Sequence, residues 1–166
     1  MQDAFRSDLV ALLPRLRRFA WALVGHPAAA DDLVQAACIR ALSSAAQWQP
    51  GTRLDSWMFR ILQNLWIDER RRRVDNATEA IGEDIDGLAD EHDLETHMVA
   101  KLTLERVLTA METLPEQARV LIALVSIDGL SYKEAADVLE LPLGTVMSRL
   151  SRARLALRRA LEGQHA

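Results

Sequence analysis

The chain has 166 residues, 49% hydrophobic and 27% charged, with a net charge of −4, which is ordinary for a globular protein of one large or two small domains. Cys38 is the only cysteine, so no internal disulfide forms. No apolar run approaches the roughly 18 residues of a membrane span and the N-terminus has no signal-peptide pattern, so a cytoplasmic location is expected.

The net charge conceals a division. Residues 1–73 hold eleven basic and seven acidic side chains, residues 74–100 nine acids and no Lys or Arg, and residues 101–166 nine basic and eight acidic. Two basic-faced segments joined by an acidic stretch suit a polyanionic partner in spite of the negative total.

In chain order, Phe5 to Val24 reads as a first helix with an apolar face of Leu9, Leu12, Leu13, Leu16, Phe19, Ala20 and Leu23. Pro14 lies inside it and predicts a kink or a break into two helices. Gly25-His26-Pro27 closes it, and His26 reads as a turn residue because no second ligand stands at metal spacing. A second helix spans about Ala29 to Ala45, with Asp31 and Asp32 in its first turn, where the helix dipole favours acids. Adjacent helical carboxylates point about 100° apart, and no nucleophile accompanies them, so they are no acid–base pair. Asp32, Gln35, Ile39 and Arg40 instead form a mixed face suited to a protein partner.

After the loop Trp48 to Thr52, a third helix runs from about Arg53 to Arg73. Leu54, Trp57, Met58, Ile61, Leu62, Leu65 and Trp66 form its apolar arc, and Arg60, Gln63, Asn64, Ile67, Arg70 and Arg71 the opposite one. Aromatics beside arginines suit unpaired bases, although the tryptophans read more simply as core. Val74 to about Thr96 is acidic and weakly apolar, the composition of a flexible linker. A fourth helix covers about Leu94 to Thr113, and another runs from Pro115, a tolerated first-turn proline, to Ile127.

Leu130 to Leu161 organises the rest. Ser131 followed by Glu134 is a capping box, Ala135, Ala136 and Leu139 form a small apolar face, and Leu141-Pro142 stops the helix. In the next helix Val146, Leu150, Ala153, Leu157 and Leu161 repeat at helical period, and Gly144 to Leu161 carries five arginines and no acid. A small helix packed on a basic one is a helix-turn-helix, whose second helix enters the major groove N-terminus first. A solvated amphipathic helix in a bundle is the plainer alternative. Nowhere does a nucleophile meet a base or do metal ligands cluster, so no catalytic residue, metal or cofactor is expected and the protein is not read as an enzyme.

The segments ADDLVQAACIRAL, RLDSWMFRILQNLWIDERRRR and LPEQARVLIALVSIDGLSYKEAADVLELPLGTVMSRLSRARLAL, with the acidic gap between the last two, resemble the bacterial extracytoplasmic-function (ECF) sigma factors of RNA polymerase. The resemblance implies an all-α fold of two small domains. Residues 1–73 would be sigma region 2, which meets core polymerase at the β′ clamp helices and melts the −10 element. Residues 74–96 would be the linker. Residues 97–166 would be sigma region 4, a helix-turn-helix on the −35 element, near the β flap. Carried over by position, Asp32, Gln35 and Arg40 would bind polymerase. Arg60, Asn64, Arg70 and Arg71 would serve the −10 strand. Met147, Ser148, Ser151 and Arg152 would face −35 bases, with Arg119, Lys133, Arg149 and Arg154 on phosphates or bracing the helix. An anti-sigma factor is a further expected partner. Pro14, Ala36, Cys38 and Met147 depart from the family pattern; Met147 stands where a cation is common. Two rivals remain: a sigma-like decoy that sequesters an anti-sigma factor, and a stand-alone helix-turn-helix regulator.

Overall fold

Burial of one face organises each helix of the computed structural model, which describes residues 2–76 and 94–164. Helix α1, Gln2–Val24, buries Phe5, Leu9, Leu16, Phe19, Ala20 and Leu23. It runs unbroken through Pro14, contrary to the expected break. The lost hydrogen bond concerns the carbonyl of Val10, and both Val10 and Pro14 lie on the exposed side, where water can take that carbonyl.

Gly25, at φ 75°, turns the chain out of α1. Helix α2, Pro27–Ser43, starts two residues before the expected Ala29, because His26 caps it and its Nδ1 accepts from the Ala28 N–H at 3.2 Å. Asp31 and Asp32 therefore lie beyond the first turn, and Asp31 pairs with Arg17 of α1 at 3.1 Å. A 3-10 turn, Ala45–Gln47, leads through the loop to α3, Leu54–Asn76. Helix α3 buries Met58, Phe59, Leu62 and Trp66; the Phe59 ring meets that of Phe19 at 5.0 Å. Trp48 and Trp57 pack around Phe5, so these tryptophans serve the core.

Helix α4, Leu94–Glu112, and α5, Glu116–Ile122, meet at Pro115, and a π-helical turn, Ala123–Ile127, extends α5. That turn closes with the Asp128 N–H donating to Ala123 O at 2.9 Å. Helix α6, Tyr132–Leu139, opens with the expected capping box: Ser131 Oγ accepts from Glu134 N at 3.1 Å, and Glu134 Oε2 accepts from Ser131 N at 2.7 Å. Glu140, left-handed at φ 55°, ends it. Helix α7, Leu143–Gly163, buries Val146, Leu150 and Ala153 and packs on α5, completing the helix-turn-helix. Of the acidic stretch 74–96, the two ends belong to α3 and α4, and residues 77–93 lie outside the described residues.

One cluster of buried apolar side chains runs through both halves, with α1 against α4, α5 and the π turn, and α3 against α6. Arg119 fastens this seam. Only 3% exposed, it donates through Nη1 to Leu23 O at 2.9 Å and through Nη2 to Glu112 O at 2.7 Å. These carbonyls lie in the last turns of α1 and α4, where helices leave acceptors without partners and the dipole is negative. The Trp66 ring lies 5.3 Å from the guanidinium.

Arg119→Met removes charged donors from two helix ends and leaves both carbonyls buried. A loss of about 2–4 kcal/mol in urea unfolding is expected, against about 0.5 kcal/mol or less for Arg73→Met on the exposed surface.

Candidate nucleic-acid interface

The outward side of α7 follows from its buried stripe. With Val146, Leu150 and Ala153 turned inward, Met147, Ser148, Arg149, Ser151, Arg152 and Arg154 are all exposed. Arg152 makes only a long contact, Nε to Ser148 O at 3.4 Å, so its fork faces outward. Arg154 is steadied by the preceding helix: its Nη1 donates to Tyr132 Oη at 3.1 Å, with the guanidinium 6.0 Å from the ring. Lys133 is exposed at the start of α6. This surface offers cations and short polar groups over two helical turns and suits a major groove.

A second surface lies where α2 meets α3. Asn64 is exposed and lines a cleft of about 210 Å³ with Arg40, Ser44, Gln47, Trp57, Ile61, Leu65 and Asp68. An amide that both donates and accepts, set beside an aromatic and an aliphatic wall, is a fitting receptor for an unstacked base. Arg40, placed by sequence with the protein-binding face, thus also borders this cleft. On the outer side of α2, Asp32, Gln35, Ala36 and Arg40 are exposed, and Ile39 is 58% exposed among them. Cys38 is half-buried, and burial pushes its thiol pKa up, as for a packing residue.

The seam takes up other residues that the sequence assigned to nucleic acid. Arg60 donates through Nε to Val138 O at 3.2 Å and through Nη2 to Asp137 O at 2.7 Å, and it pairs with Glu140 at 3.3 Å. It therefore caps the C-terminus of α6. Arg70 Nε meets Glu116 Oε1 at 3.0 Å, with its guanidinium 5.1 Å from the Trp66 ring. Arg71 stays exposed. Arg119, expected at a phosphate, is buried between the halves and presents no surface to nucleic acid in this arrangement. Burial, then the nearby charge of Arg70, lowers its pKa, though an arginine keeps its charge.

Sequence reasoning missed the rest of this network. Arg15 reaches Asp128 at 2.8 Å and Asp55 at 3.2 Å, and the Asp128 side chain is fully buried. Arg53 holds Asp55 at 2.6 Å and also hydrogen-bonds Glu134. Charges of alternating sign thus run from Asp128 through Arg15, Asp55 and Arg53 to Glu134. Among the described residues, every ion pair across the seam takes its arginine from the first half and its carboxylate from the second. Among the described residues no cluster of His, Cys, Asp or Glu could hold a metal, and no helix is long and apolar enough to cross a membrane.

Burial raises the Asp55 carboxyl pKa, but the hydrogen bonds from Arg53 and the Ser56 N–H, with the charges of Arg53 and Arg15, outweigh it and hold the group below its usual 3.8. The Ser131 N–H, then Arg53, holds Glu134 below its usual 4.5. Depressed carboxylates stabilise the fold above their unfolded values and lose that contribution as pH falls through the folded ones. Asp55→Asn with Glu134→Gln should therefore be less stable than the parent at neutral pH, with the gap closing as pH falls below the ordinary 3.8 and 4.5 of these groups. Denaturant titrations across that range check it, and a gap independent of pH contradicts it.

Comparison with known proteins agrees with this geometry. Residues 9–75 match the family described as Sigma-70 region 2, and residues 104–157 match Sigma-70, region 4. The ECF RNA polymerase sigma factor EcfG of Rhodopseudomonas palustris (strain TIE-1) is 36% identical over 157 residues, covering 95% of this chain and 84% of the relative. The sigma factor RpoE from Bartonella quintana, solved with the anti-sigma factor NepR, superposes with a TM-score of 0.76 at 30% identity, covering 98% of each chain. The anti-anti-sigma factor PhyR from Bartonella quintana shares the fold alone, at a TM-score of 0.63 and 15% identity over 49% of that chain. Two sigma regions in order, on a chain matching EcfG along nearly its whole length, show that this protein belongs to the ECF family of RNA polymerase sigma factors.

Proposed function

We propose that the protein binds core RNA polymerase in the cytoplasm, recognises −35 and −10 promoter elements and promotes promoter melting, with no catalytic step of its own. The open outer face of α7, acid-free from Gly144 to Leu161, carries the reading, because an arginine-rich helix behind a capped partner helix is the form that reads duplex DNA. Residues 1–73 act as region 2 and residues 97–166 as region 4. Asp32, Gln35, Ile39 and Arg40 meet the polymerase. The cleft at Asn64 holds an unstacked −10 base, so binding energy favours melted over closed promoter. The relative RpoE, crystallised with NepR, supports an anti-sigma partner for this chain as well.

The docked arrangement fits a resting protein. Arg60 and Arg70 serve the −10 strand in this reading, yet here they are held by the C-terminus of α6 and by Glu116. A guanidinium so engaged is not free for phosphate. Core polymerase must part the halves before both DNA surfaces work, and Arg119 reaches solvent only then.

Transcription in vitro with purified core polymerase on a promoter library tests the whole reading. Specific transcripts are expected; their absence, with tight binding of an anti-sigma factor, would establish the decoy instead. Asp32→Lys with Gln35→Ala should weaken core binding about tenfold at unchanged helicity. Asn64→Ala should leave −35 duplex binding intact while cutting permanganate reactivity of −10 thymines; undiminished reactivity removes the base pocket from that cleft.

A further inference from the structure

The first turns of α7 expose an apolar edge where cations would be expected on a DNA-reading helix. Leu143, at the first position of the helix, is 47% exposed, and Met147, one turn on, is 50% exposed. Neither is used by the core, whose contacts fall to Val146 and Leu150. Between Met147 and the outward Arg152 stands Ser148, whose hydroxyl donates to Thr145 O at 3.1 Å. That proton is spent inside the helix, so Ser148 presents lone pairs outward and acts as an acceptor.

We propose that Met147, backed by Leu143, is a specificity-determining residue that reads the C5-methyl of a thymine in the −35 duplex. This rests on α7 being the −35 helix and adds what it reads. In the major groove only thymine offers an apolar group, and its partner adenine offers an amino donor. A thioether beside a hydroxyl acceptor matches those two features together. Cytosine offers an amino donor without a methyl, and guanine offers two acceptors to which Met147 can donate nothing. Burying such polar edges against the thioether leaves them unpaired, so the apolar edge also rejects the wrong pair. The thioether is flexible and polarisable and follows the methyl closely. Arg152, one turn on, reads its own position by a separate chemistry.

Holoenzyme assembled with the full chain is used to select −35 duplexes from a randomised library. In the selected duplex each thymine is then replaced in turn by deoxyuridine, which removes the methyl and nothing else. At one position the parent should bind the thymine duplex about fourfold more tightly, the worth of one buried methylene. Met147→Ala should abolish that difference, and Met147→Arg should move the selected base there to guanine. Arg152→Ala should keep the thymine–deoxyuridine difference and lose preference elsewhere. A parent indifferent to every deoxyuridine, or a Met147→Ala protein that still prefers thymine at that position, overturns the proposal while α7 remains the −35 helix. A parent that selects no −35 sequence overturns the reading of α7 and the proposal with it.

Discussion

Helices end with carbonyls that no helix can satisfy, and the seam of this protein is built on that constraint. The last turns of α1 and α4 give their carbonyls to Arg119, and the last turn of α6 gives its carbonyls to Arg60. In the first case one side chain ties a helix of the first half to a helix of the second. In the other, a side chain of α3 grips a helix that follows it by more than fifty residues of sequence. Each contact places a guanidinium at the negative end of a dipole, and at Arg119 it does so away from bulk water, where a hydrogen bond to a charge is worth most. Removing one partner leaves a buried acceptor, or in the case of Arg15 the buried Asp128 carboxylate, with nothing to hold it. The seam is therefore specified group by group, with apolar packing beneath it.

The charge pattern turns that constraint toward function. In the ion pairs of the seam the first half contributes the arginines and the second half the carboxylates, so the second half presents to α3 what a nucleic acid would present: a row of anionic oxygens. Glu140 with the carbonyls of α6 stands at Arg60, and Glu116 stands at Arg70. The outer face of α7 remains open in the same arrangement, and so do the outer face of α2 and the cleft at Asn64. In the function proposed above, docking competes with the −10 strand for two cations without burying the surfaces that would first meet polymerase and duplex. A partner that prefers the parted state need supply only its differential affinity to shift the balance.

Much of this was legible in the sequence, and what was not has one cause. Helical period gave the α-helices and most of their buried sides, though in α3 it left out the buried Phe59 and put Gln63 and Ile67, both buried, on the outer arc, and Ser131 with Glu134 gave the start of α6, because these signals lie within a few residues. Pro14 misled, since its effect depends on whether the carbonyl it orphans faces water, which only packing decides. His26 was read as a turn when it is a cap, a difference of one hydrogen bond. The seam was not legible: the partners of Arg15, Arg60 and Arg119 lie 113, 78 and 96 residues away along the chain, and periodicity says nothing about which faces meet. One clue was present. Arg119 sits beside Val120, Leu121 and Ile122 in a short helix, all four of them buried, and an arginine so placed must find partners inside.

The competition between the second half and the −10 strand is tested most directly by the affinity of the free full chain for single-stranded −10 DNA. A fluorescein-labelled non-template oligonucleotide from a promoter that the holoenzyme transcribes is titrated with the parent and with Glu116→Gln, Glu134→Gln, Glu140→Gln. The triple variant should keep parental helicity and bind about tenfold more tightly, equivalent to about 1.4 kcal/mol released from the seam. Equal affinity of the two proteins would show that the seam does not compete for the −10 strand and would contradict the account.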